Sequence, residues 1–139
     1  MERTLSSPRN ETATRRTRRS SPVKNRGVRV LVVDDDPSVR SALGRLLGLK
    51  FQVEVAGSAD EAERMLSSRR FSAIVSDFDM PGHDGIWLLS RVAEQFPSTR
   101  RIILSGRSPE YFFSHIDNGV VQLCLEKPAS PSTLIDFLG

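Results

Sequence analysis

This 139-residue sequence contains only one cysteine and no long hydrophobic run, two features that would constrain the location and the stability of a protein. It has a single cysteine, Cys124, so no internal disulfide can form, and a reducing compartment is compatible with the chain. No apolar run approaches the roughly 20 residues that a membrane-spanning helix requires. We therefore expect a cytoplasmic protein without a membrane span. Hydrophobic residues make up only 38% of the chain, which indicates that part of it does not fold.

The amino-terminal segment has almost no apolar side chains and an excess of positive charge. Residues 1–29 contain nine Lys and Arg but two Glu, whereas residues 30–139 contain eleven Lys and Arg and fifteen Asp and Glu. Because such a segment cannot bury enough surface to offset its ordering entropy, we predict a disordered basic tail over residues 1–27. No apolar segment follows its arginine pairs, which excludes a secretory signal. Contact with nucleic acid or anionic lipid is physically possible, but a solvated tail is the favoured interpretation, so nucleic acid is not an expected partner.

Short apolar runs alternate with amphipathic segments from residue 28 to residue 139. The runs predict strands over residues 29–33, 51–55, 72–76, 101–104 and 120–125. Helices are predicted to follow the capping residues Asp36, Ser58, Asp84, Ser108 and Ser130, with the fourth helix running to about residue 116. Five strand-then-helix units with apolar strands predict an α/β domain over residues 28–139, in which helices cover both faces of a parallel sheet. In such a sheet a ligand binds beyond the carboxyl ends of the strands.

Chemically reactive side chains follow four of these predicted strands. They are Asp34, Asp35 and Asp36 after the first, Asp77 and Asp79 after the third, Ser105 at the end of the fourth and Lys127 after the fifth. Carboxylates so close together repel one another unless a cation neutralises them, and oxygen ligands favour a hard ion such as Mg²⁺. A carboxylate can attack phosphorus, while lysine and serine can bind phosphoryl oxygens. The set therefore indicates Mg²⁺-assisted phosphoryl transfer, although Asp36, which precedes Pro37, is expected to be a helix cap.

Four segments carry a resemblance to the receiver domains of two-component response regulators. They are residues 30–37 (VLVVDDDP), 76–85 (SDFDMPGHDG), 102–106 (IILSG) and 126–128 (EKP). The segments occur in the order and spacing of that family, and the resemblance covers about residues 28–138. It implies a doubly wound, flavodoxin-like sheet of five parallel strands in the order 2-1-3-4-5, with helices on both faces.

The resemblance also implies roles for the acidic residues and the lysine. Asp77 would be the phosphoacceptor, and Lys127 would hold the phosphoryl group. Asp35, Asp77 and the backbone carbonyl of Asp79 would bind Mg²⁺ directly, and Asp34 would act on the ion largely through water. The phosphoryl donor would be a phosphohistidine of a histidine kinase or of a histidine phosphotransfer protein.

Further expectations concern the residues around the phosphoryl group. By the same resemblance, Ser105 would be the switch hydroxyl that moves toward the phosphate, and the Lys127–Pro128 peptide bond would be cis. The family usually has an aromatic residue three positions before the lysine, and here that position is Cys124. We hypothesise that Asp79 and Arg107, each two positions beyond a site residue, form a pair that partly shields the phosphoryl group from water.

The expected protein is a signalling domain and not an enzyme of multiple turnover. Because the sequence ends at Gly139, we expect a single-domain regulator that docks to a protein partner or relays phosphoryl groups. An alternative from another class is a small phosphatase of the haloacid-dehalogenase type, since residues 77–79 have its Asp-x-Asp form. In that family, however, the nucleophile follows the first strand of the core, whereas Asp77 follows the third predicted strand. Nucleic-acid binding through the basic tail is the second alternative.

Overall fold

The computed structural model describes residues 25–139 and contains one parallel sheet of five strands. The strands are β1 (Asn25–Val33), β2 (Phe51–Ala56), β3 (Ala73–Asp77), β4 (Arg100–Ser105) and β5 (Leu123–Glu126). Their order in the sheet is β2-β1-β3-β4-β5, which confirms the predicted topology. β1 begins inside the last three residues of the predicted disordered tail, and the rest of that predicted tail, residues 1–24, lies outside the described residues.

Helices cover both faces of the sheet. They are α1 (Pro37–Leu47), α2 (Ala59–Ser68), α3 (Gly85–Gln95), α4 (Phe113–Asp117) and α5 (Pro131–Leu138), with a 3-10 helix over Pro109–Phe112 before α4. Buried side chains of α2, α3 and the 3-10 helix join one apolar cluster, and those of α1 and α5 join a second cluster on the opposite face. Within residues 25–139, no helix combines the length and the apolar character that crossing a bilayer requires.

The second half of the central strand β1, residues 30–33, is apolar at every position because helices cover both of its faces. Leu31 and Val33 pack into the cluster beneath α2 and α3, whereas Val30 and Val32 pack into the cluster beneath α1 and α5. Successive side chains of a strand point to opposite faces, so a strand covered on both faces buries all of them. Each such side chain contributes roughly 1.5–3 kcal/mol by leaving water.

Three helices begin at the capping residues that the sequence predicts. The side chains of Asp36, Ser58 and Asp84 each accept a hydrogen bond from an amide in the first turn of α1, α2 and α3, at 2.8–3.1 Å. The carboxylate of Glu61 accepts a hydrogen bond from the amide of Gly57 at 2.8 Å, one residue before the expected partner in a capping box. Each cap sets the residue at which a helix begins. The caps therefore also set the lengths of the loops that follow β1, β2 and β3 at the carboxyl edge of the sheet.

The segment between β4 and β5 differs from the sequence prediction. The single helix expected to run to about residue 116 is divided into the 3-10 helix and the five-residue α4, and Ser108 makes no side-chain capping bond. β5 begins at Leu123 and not at Val120, because the amides of Val120 and Val121 both donate to the carbonyl of His115. Val121 is buried in this turn, so its apolar character reflects packing and not a strand.

A buried arginine holds the loops at the amino-terminal edge of β4. Arg101 is 6% exposed, and its guanidinium donates to the carbonyls of Pro97, Thr99, Gly119 and Val120 at 2.8–3.1 Å. Burial lowers the pKa of the Arg101 guanidinium, and in the described part of the chain no carboxylate lies within ion-pair distance of it. Backbone carbonyls therefore provide the compensation that a buried cation requires.

We expect Arg101→Met to destabilise the domain by about 2 kcal/mol or more, because several loop carbonyls lose their donor in a buried position. Urea unfolding followed by circular dichroism measures the change. Arg45→Met, which replaces an exposed arginine on α1, is the matched control and is expected to be near neutral. Equal unfolding midpoints for the two variants would contradict this role of Arg101.

Candidate functional site

The carboxyl edge of the sheet brings together the reactive residues that the sequence separates. All strands are parallel, so their carboxyl ends lie at one edge. β1 ends just before Asp34, β3 ends at Asp77, β4 ends at Ser105 and β5 ends just before Lys127. Since β3 has β1 on one side and β4 on the other, Asp77 lies at the middle of this edge.

Lys127 joins the two buried carboxylates of the edge. Its Nζ donates to Asp77 Oδ1 at 3.0 Å and to Asp34 Oδ2 at 3.2 Å, although these residues lie 50 and 93 positions away along the chain. Asp34 is 1% exposed and Asp77 is 8% exposed, whereas the lysine side chain is partly exposed. Charge-assisted hydrogen bonds of this kind compensate the burial of carboxylates, which is otherwise costly.

Three carboxylates of the edge are close enough to share a cation. One oxygen from each of Asp34, Asp35 and Asp77 lies within 4.8 Å of the others, and Asp35 is exposed while the other two are buried. Three negative charges against the single charge of Lys127 leave an excess of two, which a divalent ion would balance. An all-oxygen set with one side open to water fits Mg²⁺, which retains several water ligands.

The pKa values of Asp77 and Lys127 are both raised, but for different physical reasons. Burial raises the pKa of the Asp77 carboxyl; the hydrogen bond from Lys127 opposes that shift, and the nearby charges of Asp34 and Asp35 add to it. Burial by itself would lower the pKa of Lys127, but the hydrogen bond to Asp77 and the charges of both carboxylates raise it. The lysine therefore stays cationic, and it favours the ionised form of the buried carboxyl.

The three consecutive aspartates after β1 have three different positions. Asp34 Oδ1 accepts a hydrogen bond from the amide of Asp36, and its carbonyl accepts one from Arg40 Nη1 at 2.8 Å. Asp35 presents an exposed carboxylate, and Asp36 caps α1 as predicted. Sequence reasoning assigned no role to Arg40, although its position four residues after the cap, on the first turns of α1, could have suggested one.

A glycine at the start of α3 allows that helix to approach the loop after β3. The amide of Gly85 donates to the carbonyl of Phe78 at 2.9 Å, and a Cβ at Gly85 would lie 2.3 Å from the carbonyl oxygen of Asp77. The hydroxyl of Ser76 donates to the Asp77 carbonyl at 2.8 Å. The close approach of α3 to the backbone of Asp77 therefore depends on the missing side chain at residue 85.

The remaining predicted site residues lie around this group. Ser105 is buried, its Oγ accepts a hydrogen bond from the amide of Arg107 at 3.0 Å, and its carbonyl accepts one from the amide of Lys127 at 2.8 Å. The Lys127–Pro128 bond is cis, as predicted. The side chain of Asp79 is exposed and is not among the three clustered carboxylates; the metal-binding role predicted for its backbone carbonyl stays a prediction.

The hypothesised pair between Asp79 and Arg107 does not form in the described chain. The guanidinium of Arg107 instead lies over two aromatic rings. Its Cζ atom is 4.5 Å from the centroid of the Tyr111 ring and 5.5 Å from that of the Phe78 ring. Phe78 directly follows Asp77, and its ring offers the cation a nearby face. Sequence reasoning missed this arrangement, because nothing in the local pattern indicates which ring an exposed arginine will contact.

The comparisons with known proteins agree with this geometry. Residues 30–138 match the family model described as the response regulator receiver domain. The chain belongs to this family. It is 37% identical over 108 residues to the hydrogenase transcriptional regulatory protein HoxA of Cupriavidus necator, an alignment that covers 77% of this chain and 22% of HoxA.

Solved structures show the same fold. The signal receiver domain of an HD domain-containing protein from Pseudomonas fluorescens Pf-5 superposes with a TM-score of 0.73 at 30% identity, covering 86% of this chain and 88% of the other. The chemotaxis protein CheY4 of Vibrio cholerae superposes with a TM-score of 0.73 at 28% identity, covering 80% and 95%. The chain therefore spans a whole receiver domain but only about a fifth of HoxA.

We expect Gly85→Ala to destabilise the receiver domain by about 1–3 kcal/mol, because the added Cβ collides with the backbone oxygen of Asp77 and with Ile103. Chemical denaturation gives the value. Gly106→Ala is the matched control, since no atom lies within 4 Å of the Cβ that it would add. A loss of stability in the control as large as that in Gly85→Ala would argue against the steric explanation.

We expect Lys127→Met to raise the pKa of Asp77 further in magnesium-free buffer. The substitution removes the hydrogen bond and the positive charge that favour the carboxylate, while burial and the neighbouring aspartates continue to disfavour it. Carbon NMR of the Asp77 carboxyl across a pH titration measures the shift. Lys50→Met, at an exposed position after α1, should leave that titration unchanged. An unshifted titration in Lys127→Met would contradict the proposed coupling.

Proposed function

We propose that Asp77 accepts a phosphoryl group from the phosphohistidine of a histidine kinase or of a histidine phosphotransfer protein. The single observation that carries this proposal is the bridge from Lys127 Nζ to Asp77 and Asp34. It places a cation beside a buried carboxylate at the edge of a parallel sheet where ligands bind. Membership of the receiver family supports the same reaction.

The reaction requires little covalent chemistry from the protein. A carboxylate oxygen of Asp77 attacks the phosphorus atom, and the bond between phosphorus and the donor imidazole nitrogen breaks. The electron pair of that bond stays with the imidazole, and the product is an acyl phosphate on Asp77. Lys127 lies where its ammonium can pair with the added phosphoryl oxygens, so the main contributions of the chain are positioning and charge stabilisation.

Mg²⁺ is part of the proposal, and the residues that would hold it are those of the acidic cluster. Asp35 and Asp77 would be direct ligands together with the backbone carbonyl of Asp79, and Asp34 would contribute largely through water. The ion would neutralise the carboxylates and the phosphoryl oxygens as charge develops on them. The excess negative charge of the three clustered carboxylates supports this assignment.

Ser105 is proposed as the hydroxyl that responds to the phosphoryl group. Its oxygen accepts a hydrogen bond from the amide of Arg107, which leaves its own proton available for donation. A hydroxyl at the end of β4, beside the strand that bears Asp77, can donate to a phosphoryl oxygen by rotation about its side-chain bond. The switch would then pass from Ser105 to the segment that follows β4.

The output proposed for the domain is a change in docking to another protein. A signalling role without multiple turnover follows the receiver family, and a cytoplasmic location is consistent with the free thiol of Cys124. The chain spans about a fifth of HoxA, so the activity of that whole regulator is not carried over.

We expect acetyl phosphate with Mg²⁺ to label the protein once, on Asp77, as detected by a phosphate-affinity gel or intact mass. The label should be absent in Asp77→Asn and in wild type treated with EDTA, because the nucleophile or the cation is then missing. Asp60→Asn, at an exposed position on α2, should keep full labelling.

Incubation with an aryl phosphate separates this proposal from the phosphatase alternative. A receiver domain is expected to release at most about one equivalent of phenolate slowly, whereas a phosphatase turns over many times. Equal labelling of wild type and Asp77→Asn, or sustained turnover that Asp77→Asn abolishes, would exclude the proposed function.

A further inference from the structure

Arg107 is a cation beside the site that has no anionic partner. Its side chain is exposed, and no ion pair involves it among residues 25–139. Lys127, the cation that contacts Asp77, is already shared between two carboxylates. Of these two side chains, Arg107 is therefore the one whose charge is available for an additional anion.

Aromatic rings hold the guanidinium of Arg107 in the present state. Its carbon lies 4.5 Å from the centroid of the Tyr111 ring and 5.5 Å from that of Phe78, while the two rings meet edge to face at 5.6 Å. Phe78 also packs edge to face against the fully buried Phe112 at 5.0 Å. Tyr111 makes the same edge-to-face contact with Phe112 at 5.0 Å, but it is half exposed, whereas Phe78 is buried.

Arg107 is connected to the phosphoacceptor by its backbone and by its side chain. The backbone amide donates to Ser105 Oγ, and the guanidinium lies over Phe78, the residue that directly follows Asp77. The amide of Phe78 donates to the carbonyl of Leu104, which joins the ends of β3 and β4. Arg107 thus contacts Ser105 directly through its backbone amide, and through its guanidinium it contacts Phe78, the neighbour of Asp77.

Phosphorylation changes which partner this guanidinium prefers. It replaces a carboxylate by a group with more negative charge and three strong acceptor oxygens. A cation–π contact at an exposed site is weaker than a charge-assisted hydrogen bond from arginine to a phosphoryl oxygen, for which the planar guanidinium is well suited. The cation should therefore leave the rings when the phosphoryl group is present.

We propose that Arg107 is a second phosphoryl-binding cation, held on Tyr111 before phosphorylation and transferred to the phosphoryl oxygens afterwards. The inference rests on the proposed function, since it requires an acyl phosphate on Asp77. Its consequence is that Tyr111 loses its cation whenever the site is phosphorylated. Tyr111 is then the side chain that reports the state of the site on the surface.

The single tyrosine of the chain makes this transfer measurable. Protein labelled with 3-fluorotyrosine gives one fluorine resonance, from Tyr111. With Mg²⁺ and beryllofluoride, a phosphoryl analogue, the resonance of wild type should shift. In Arg107→Gln it should already differ without the analogue and should shift much less when the analogue is added. Arg70→Gln, at an exposed position beyond α2 at the opposite edge of the sheet, is the matched control and should behave as wild type.

A second readout separates phosphoryl binding from simple packing. After labelling with acetyl phosphate and removal of the reagent, Arg107→Gln should lose its phosphoryl group at least about threefold faster than wild type, because neither charge neutralisation nor shielding by the guanidinium remains. Arg107→Lys should restore part of the lifetime, since it keeps the charge without the planar fork. Arg70→Gln should have the wild-type lifetime.

Each outcome has a distinct meaning. A shifted resonance in wild type, together with the shorter lifetime of Arg107→Gln, supports the inference. A protein labelled on Asp77 whose Tyr111 resonance does not move, or whose lifetime is the same with and without Arg107, overturns the inference and leaves the proposed function intact. A protein that takes no label on Asp77 overturns both.

Discussion

The ammonium of Lys127, shared between Asp34 and Asp77, is the interaction on which the arrangement of the site depends. Two carboxylates buried at the ends of neighbouring strands would repel each other and favour protonation without a cation. The hydrogen bond and the charge of Lys127 favour the ionised form of Asp77. The same three side chains thus explain how acidic residues are tolerated at a buried edge of the sheet.

This interaction constrains the sheet. Lys127 follows β5, yet it contacts Asp34, which follows β1, and Asp77, which ends β3, so its side chain must extend across the end of β4. The order β2-β1-β3-β4-β5 permits this, because β4 alone separates β5 from β3. Ser105, which ends β4, accepts a hydrogen bond at its carbonyl from the amide of Lys127 and adjoins β3, the strand that ends at Asp77. Topology and the site are linked here, since a strand order that moved β5 away from β3 would separate Asp77 from Lys127.

Arg101 lies near the start of β4 and Arg107 lies two residues beyond its end, and the two arginines have opposite environments. Arg101 is buried and satisfied by loop carbonyls, so its position is determined by the packing of the core edge. Arg107 is exposed, and its guanidinium lies over the rings of Tyr111 and Phe78, contacts that are weak at an exposed site. The pattern of charged residues in the sequence does not distinguish these two, because burial and partner are properties of the folded chain.

The sequence by itself determined the five strands, three of the helix caps and the reactive residues at the carboxyl edge, because side-chain periodicity and capping are local properties. It did not determine that the segment after β4 divides into a 3-10 helix and α4. It also did not determine that the apolar Val121 lies in a turn and not in a strand. Only the tertiary structure decided that Lys127 bridges two carboxylates and that Arg107 lies on Tyr111 and not beside Asp79. Such contacts depend on the distances and burial that packing creates between side chains, and residue type alone does not specify them.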